Sequence, residues 1–316
     1  MQKKIELSIV IPCYQEEEGI EELVRRVSFA AESIALPYEL LLVDDGSSDA
    51  TWQKMLAAQK IYSSVRTVKL ARNHGHQLAL TAGLSLIRGE HYVFVLDADL
   101  QDPPELLGEM LKMMKDENAD VVYGKRRKRD GETIFKLLTA GAFYRFLRLM
   151  TDIDIPADTG DFRLMKRHVA DTLNQMPEHA RFIRGMVSWI GGKQVPFFYH
   201  RESRYAGTTK YPLKKMIKLA IDAITSFSVK PLRIGLKLGL WGSCLGGGLL
   251  IYSLFSYFFL KTVTGWISLM AVVVLMSSLQ IFLLGLIGEY IGRIFIDTQK
   301  RPLFLIGEIR ENERMQ

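Results

Sequence analysis

The chain has 316 residues, 48% of them hydrophobic, and a formal net charge of +6. That length suits one large domain or two smaller ones. Its two cysteines, Cys13 and Cys244, lie far apart in sequence, so they give neither a disulfide framework nor a cysteine metal centre.

Leu7–Pro12 is an apolar run ended by proline and predicts a first strand. It is too short for a secretory leader and runs into Glu16-Glu17-Glu18, so the N-terminal part is expected to stay cytoplasmic. A helix follows, with Ile20, Leu23, Val24 and Val27 on one face. Leu40–Val43 predicts a second buried strand, ending in Asp44-Asp45-Gly46-Ser47-Ser48-Asp49. Ligands of open α/β sheets bind beyond the strands' carboxyl ends. Asp44 and Asp45 are therefore read as acceptors for a base or ribose. Asp49 is read as a helix cap.

Val65–Leu70 predicts a third strand, followed by the loop Arg72–Gln77 and a small-residue helix over Leu78–Leu86. His74 and His76 have no third metal ligand nearby in sequence, so we read a polar loop beside a nucleotide. Tyr92–Leu96 is a short run of valines and aromatics that suits a strand buried on both faces. It ends in Asp97-Ala98-Asp99, with Gln101 one alternation further and Pro103-Pro104 stopping the strand. Carboxylates at i and i+2 share a face and repel each other when unpaired. A hard divalent cation shared with nucleotide phosphates resolves that conflict; an acidic turn at a strand end is the simpler alternative.

Strands alternating with helices predict a mostly parallel sheet covered on both faces. No Gly-x-Gly-x-x-Gly follows the first strand, which disfavours a dinucleotide-binding fold. Asp120–Tyr123 is another strand, followed after Gly124 by the cations Lys125–Arg129. With apolar segments in the same chain, that run points to anionic lipid or a lipid phosphate rather than to nucleic acid. Phe135–Met150 reads as an amphipathic helix carrying Lys136, Arg145 and Arg148. Asp158–Arg163 reads as a polar turn before a helix, leaving Asp161 just outside regular structure. A mixed helix over Phe182–Trp189 and a strand over Val195–Tyr199 come next. The cations and hydroxyls of Arg201–Tyr211 surround Gly207 and suit a phosphate.

Leu213–Phe227 has apolar residues on one helical face and Lys214, Lys215 and Lys218 off it, the pattern of an interfacial helix. Leu238–Leu260 and Trp266–Gly288 are each 23 residues without a charge. About 20 residues cross a bilayer. Only Lys261–Gly265 separates them, which predicts a transmembrane hairpin. Arg233 and Lys237 flank one end and Arg293, Lys300 and Arg301 the other, placing both ends in the cytoplasm. Gly246-Gly247-Gly248 suits close helix packing and permits a homo-oligomer.

Pro12–Glu16, Val43–Asp49, Asp97–Pro104 and Thr159–Arg163 resemble the motifs of family-two glycosyltransferases of GT-A fold. Arg204–Lys210 and Gly285–Arg293 make the chain most similar to the polyprenyl-phosphate group of that family, which includes dolichol-phosphate mannose synthase and bactoprenol glucosyltransferase. The resemblance implies Mg²⁺ or Mn²⁺ held by Asp97, Asp99 and Gln101. It implies donor contacts from Pro12, Tyr14, Glu16, Asp44 and Asp45; Gln77, Asp97 and Ala98 are assigned to the same donor set. Arg126, Lys136, Arg204 and Lys210 match positions near the acceptor phosphate, although Lys136 stands where an Arg is expected. Asp99, Asp161, Arg126 and Arg204 form the candidate catalytic set, with Asp161 as base or as positioning residue.

The expected architecture is a Rossmann-like, mostly parallel GT-A domain over residues 1–210. An interfacial region over 211–233, a hairpin over 234–290 and a cytoplasmic tail over 291–316 follow. The expected activity is inverting transfer of one hexose, with UDP-glucose as donor, to polyprenyl phosphate at the cytoplasmic face of the plasma membrane. A nucleotidyl or phosphosugar transferase acting on a membrane lipid is the alternative. Neither Gln-x-x-Arg-Trp nor further membrane helices are present, which argues against a processive synthase.

Overall fold

The computed structural model describes residues 4–126, 150, 159–200, 224–225, 228–259 and 265–311. Continuous apolar runs form the first strands: β1 (Leu7–Cys13), β2 (Tyr38–Asp44), β3 (Val65–Leu70) and β4 (Tyr92–Val95). Helices α1 (Ile20–Ser33), α2 (Thr51–Ile61) and α3 (His76–Ser85) connect them. After β4, a 3₁₀ turn at Pro104–Leu106 leads into α4 (Leu107–Asp116). Then come β5 (Val121–Arg126), β6 (Thr159–Lys166), α5 (Arg167–Gln175), α6 (Ile183–Ile190) and β7 (Gln194–Tyr199). Two long helices, α7 (Lys230–Phe259) and α8 (Trp266–Thr298), precede β8 (Ile306–Arg310).

All eight strands form one sheet in the order β7-β5-β6-β4-β1-β2-β3-β8. The block β4-β1-β2-β3 is parallel, as is the β5–β7 pair, while β6 and β8 run antiparallel to their neighbours. Alternate residues face opposite layers, as strand geometry requires. Ile9 and Ile11 join one core with Leu23 of α1, Met55 of α2 and Met110 of α4. Val10, between them, packs in a second core with Leu80 and Leu84 of α3. The parallel block therefore puts the loops after β1, β2, β3 and β4 along a single carboxyl edge.

Two segments depart from the sequence reading. Thr159–Lys166 is a buried strand wedged antiparallel between β4 and β5, not a turn. Asp161 and Arg163 share one face of it, while Phe162 and Leu164 join the core on the other. Two polar residues within a buried strand look like a turn until their tertiary partners are known. The second departure is the C-terminal segment, which returns to the sheet. β8 pairs with β3, Gln59 donates to the Arg310 carbonyl (2.9 Å), and Glu311 pairs with Arg66 and Arg88.

The α7–α8 pair is close: a Cβ at Gly235 would lie 2.8 Å from Leu283 Cδ2. The Tyr290 hydroxyl donates to the Ser228 carbonyl (2.7 Å) at the sheet end of the pair. Helix α8 runs ten residues beyond the predicted span, to Thr298. Among the described residues, one segment, Val272–Thr298, is long and apolar enough to cross a membrane, and none of its most apolar stretch is buried. The predicted interfacial helix lies almost wholly outside the described residues.

Candidate active site

Loops from four parallel strands meet at the carboxyl edge. Gly46, in the left-handed region at φ 68°, lies against the next loop: a Cβ there would sit 2.6 Å from the Arg72 carbonyl carbon. Only glycine allows that approach. Asp45 accepts from the backbone N–H groups of His74 (2.7 Å) and Gly75 (2.9 Å). Burial raises its pKa, and those two donors oppose the rise. Asp44 is fully buried, with Oδ1 accepting from the Ser47 N–H (3.0 Å) and Oδ2 without a hydrogen-bond partner among the described residues. A buried acceptor left unsatisfied is costly, so Asp44 Oδ2 suits a ligand donor such as a base N–H.

Tyr14 is exposed, Glu16 half-buried and Pro12 buried, all at or just beyond the end of β1. The Glu16 N–H donates to Thr51 Oγ1 (2.9 Å), and Gln15 between them has a left-handed φ of 54°. Asp49 accepts from the N–H groups of Thr51 (3.1 Å) and Glu17 (3.3 Å), an assignment to turn and helix-start chemistry.

Beyond β4, Asp97, Ala98, Asp99 and Gln101 occupy one tight loop. The Gln101 N–H donates to Asp99 Oδ1 (3.2 Å), and buried Leu100 between them holds a left-handed φ of 55°. Such a conformation in a non-glycine residue is strained and persists only where its surroundings over-determine it. Asp97 Oδ1 is a buried oxygen without a hydrogen-bond partner among the described residues. Burial first, then Asp161, Asp102 and Asp99, raise the Asp97 pKa, with His76 opposing. Asp97 Oδ1 lies 3.4 Å from His76 Nε2 without a hydrogen bond to it, and a buried carboxylate oxygen so placed fits a divalent cation.

The antiparallel course of β6 brings Asp161 into the same place. Its two oxygens are shared by four side chains. Oδ1 accepts from Arg184 Nε (3.0 Å) and Arg163 Nη2 (3.4 Å). Oδ2 accepts from Gln77 Nε2 (2.8 Å) and faces His76 Nε2 at 3.0 Å. Gln77 is itself fixed, its Oε1 accepting from the Ile183 N–H (2.8 Å). Asp161 is fully buried, which by itself raises a carboxyl pKa. Arg184, His76 and Arg163 outweigh that and hold it well below the usual carboxylate range. Burial lowers the His76 pKa, but Asp161 and Asp97 prevail and carry it to about 9.

His76 was read from sequence as part of a polar loop with no third ligand. The structure supplies two neighbours, with ligand atoms of His76, Asp97 and Asp161 all within 4.8 Å of one another. Arg184, Arg163 and His76 already converge on Asp161, which leaves Asp97 as the member of this triad with an oxygen that accepts no hydrogen bond among the described residues. Arg184, Arg163, Tyr199 and Asp102 were not identified from sequence. Arg163 was open to discovery by its i+2 spacing from Asp161. Arg184 sits on a separate helix, with no local signal. Arg126, at the end of β5, is half-buried near this edge. Lys136, Arg204 and Lys210 lie outside the described residues.

A parallel β4-β1-β2-β3 core with an inserted antiparallel β6 carries acidic loops at its carboxyl edge, the arrangement expected of a GT-A fold. Residues 8–173 match the model described as Glycosyl transferase family 2, and residues 230–294 match the GtrB C-terminal hairpin. The chain belongs to glycosyl transferase family 2. An uncharacterized glycosyltransferase, YkcC of Bacillus subtilis (strain 168), is 46% identical over 100% of this chain and 98% of the relative. A prophage bactoprenol glucosyl transferase homolog of Escherichia coli (strain K12) is 34% identical over 97% of this chain and 100% of its own. The bactoprenol glucosyl transferase of Shigella phage SfX is likewise 34% identical, over 96% and 99%.

Proposed function

We propose that the protein transfers a single hexose, with glucose from UDP-glucose as first choice, to a polyprenyl phosphate at the cytoplasmic face of the plasma membrane. The observation that carries this reading is the joining of two features in one chain. The acidic Asp97–Gln101 loop lies at the carboxyl edge of the sheet, and a membrane-length apolar helix is tied to the same sheet through β8. The names of the full-length relatives supply the lipid and the sugar.

Asp44, Asp45, Pro12, Tyr14 and Glu16 hold the nucleoside, while Gln77 and Ala98 flank the donor. Asp97, Asp99 and Gln101 would hold Mg²⁺ or Mn²⁺, which neutralises charge on the departing diphosphate. Arg126, with Lys136, Arg204 and Lys210, receives the acceptor phosphate. A phosphate oxygen bonds to the anomeric carbon as the bond to the nucleoside diphosphate breaks and carries away its electron pair, inverting the centre. A phosphate monoester has a second pKa of about 6 and is already anionic at neutral pH.

Asp161 is unsuited to act as the base. Its proton affinity lies far below that of the phosphate, and all its oxygen positions are engaged. We assign it to positioning: it fixes Arg184, His76 and Gln77 at the sugar side of the donor. We read the hairpin as crossing the membrane twice with both ends cytoplasmic; the positive charges at Arg233, Lys237, Arg293, Lys300 and Arg301 support that reading. A reporter at Thr262 reads outside and one after Gln316 reads inside; the reverse overturns that placement. The test of the activity is a donor panel with short polyprenyl phosphates, followed by mass of the lipid product. Free nucleoside diphosphate supports hexosyl transfer, whereas nucleoside monophosphate refutes it in favour of a phosphosugar transferase.

A further inference from the structure

We propose that Tyr199 and Asp102 are positioning residues for the acceptor: the Tyr199 phenol links Asp102, at the end of the acidic loop, to the Arg126 guanidinium, so that loop and acceptor cation are set as one unit. The proposal rests on the reading of Arg126 as a contact to the acceptor phosphate.

The sheet creates the meeting. β5 and β7 are parallel, and their register places Arg126 directly beside Tyr199. The Tyr199 hydroxyl donates to Asp102 Oδ1, and its oxygen accepts from the Arg126 side chain. Asp102 is fully buried and Tyr199 nearly so. Burial first, then Asp102, push the phenol's pKa well up, so it remains a donor throughout the working range. Gly160 completes the arrangement. A Cβ there would lie 3.3 Å from Arg126 Nη2 and 3.5 Å from Asp102 Oδ2, so both charged ends crowd one small site.

The ring of Tyr199 is held by the core. It packs on Phe162 at 5.2 Å between centroids, and Phe162 packs on Phe94 at 5.4 Å. The hydroxyl is therefore a fixed point rather than a mobile one. Asp102 lies three residues past Asp99, with strained Leu100 between them. A tether at Asp102 is what such a loop needs, because a strained conformation relaxes unless both ends are held. The same tether keeps the Arg126 fork oriented before the acceptor arrives. That removes an ordering cost from binding, since arginine otherwise carries large rotamer freedom.

The test is Tyr199→Phe in the full-length protein, with KM measured separately for polyprenyl phosphate and for the nucleotide sugar, alongside Arg126→Ala. Loss of pre-ordering of one long side chain is worth up to roughly tenfold in binding. We expect acceptor KM to rise about three- to tenfold with donor KM unchanged. Tyr199→Phe in an Arg126→Ala background should add little, because the two residues act as a unit. Asp102→Asn, which keeps the volume and an oxygen acceptor, should shift acceptor KM in the same direction. Equal effects on donor and acceptor, or additive losses in the double variant, would overturn the proposal. If Arg126→Ala alters acceptor KM and Tyr199→Phe does not, the tether is refuted while the acceptor site stands. If Arg126→Ala leaves acceptor KM unchanged, the acceptor assignment falls and the proposal falls with it.

Discussion

Replacing Asp161 with asparagine separates an anchor from a base. The side chain keeps its shape but turns one acceptor oxygen into an N–H donor. Whichever way the amide lies, that donor faces either Arg184 and Arg163 or His76 and Gln77, which are donors themselves. Arg163 is 3% exposed, so water cannot take over the lost partner. Its guanidinium pKa is already lowered to about 10 by burial, with Asp161 opposing the fall. Removing one partner of a buried charge pair costs about 3–5 kcal/mol. For a domain of this size that corresponds to a fall of about 6–20 °C in the thermal midpoint. The assay is a thermal scan of detergent-solubilised protein beside its transfer rate across pH. An anchor loses stability and rate together, with the shape of the pH profile unchanged. A base loses rate and the acid limb of the profile while the midpoint holds. An Asp161→Asn midpoint within about 2 °C of the parent would refute the assignment made here.

Asp99→Asn should abolish transfer, as should EDTA, while the protein stays folded and membrane-inserted, because asparagine keeps the shape but loses the charge a divalent ion requires. Full activity in either condition would remove the metal from the reading. His76 should titrate near 9 by imidazole NMR in chelator-treated protein, and Asp161→Asn should bring it down. Because its folded pKa lies above the unfolded value of about 6.5, the pair's stabilisation is complete below that pH and disappears as pH rises through about 9. The ring is 43% exposed, so solvent screens the pair and its share of stability is modest. A His76 midpoint near 6.5 would show that the contact with Asp161 is not maintained in solution.

Local pattern alone determined the parallel half of the fold. The runs at Leu7, Leu40, Val65 and Tyr92 are each long enough and apolar enough to demand burial on both faces, and a strand's chemistry ends where its carboxylates begin. That is why Asp44, Asp45, Asp97 and Asp99 were legible as acidic positions at the carboxyl edge of the sheet. The uncharged stretches before and after Lys261 were legible for the same reason: twenty-odd residues without a charge have few places to go. Tertiary structure decided the rest. β6 breaks the apolar pattern because Asp161 and Arg163 answer each other across its buried face, and their other partners, His76 and Arg184, come from distant elements. Asp102 meets Tyr199 across 97 positions of sequence only because β7 pairs with β5. β8, short and largely exposed, has no pattern of its own that requires a strand; it becomes one because the long helix returns the chain beside β3, whose unpaired edge supplies the hydrogen bonds.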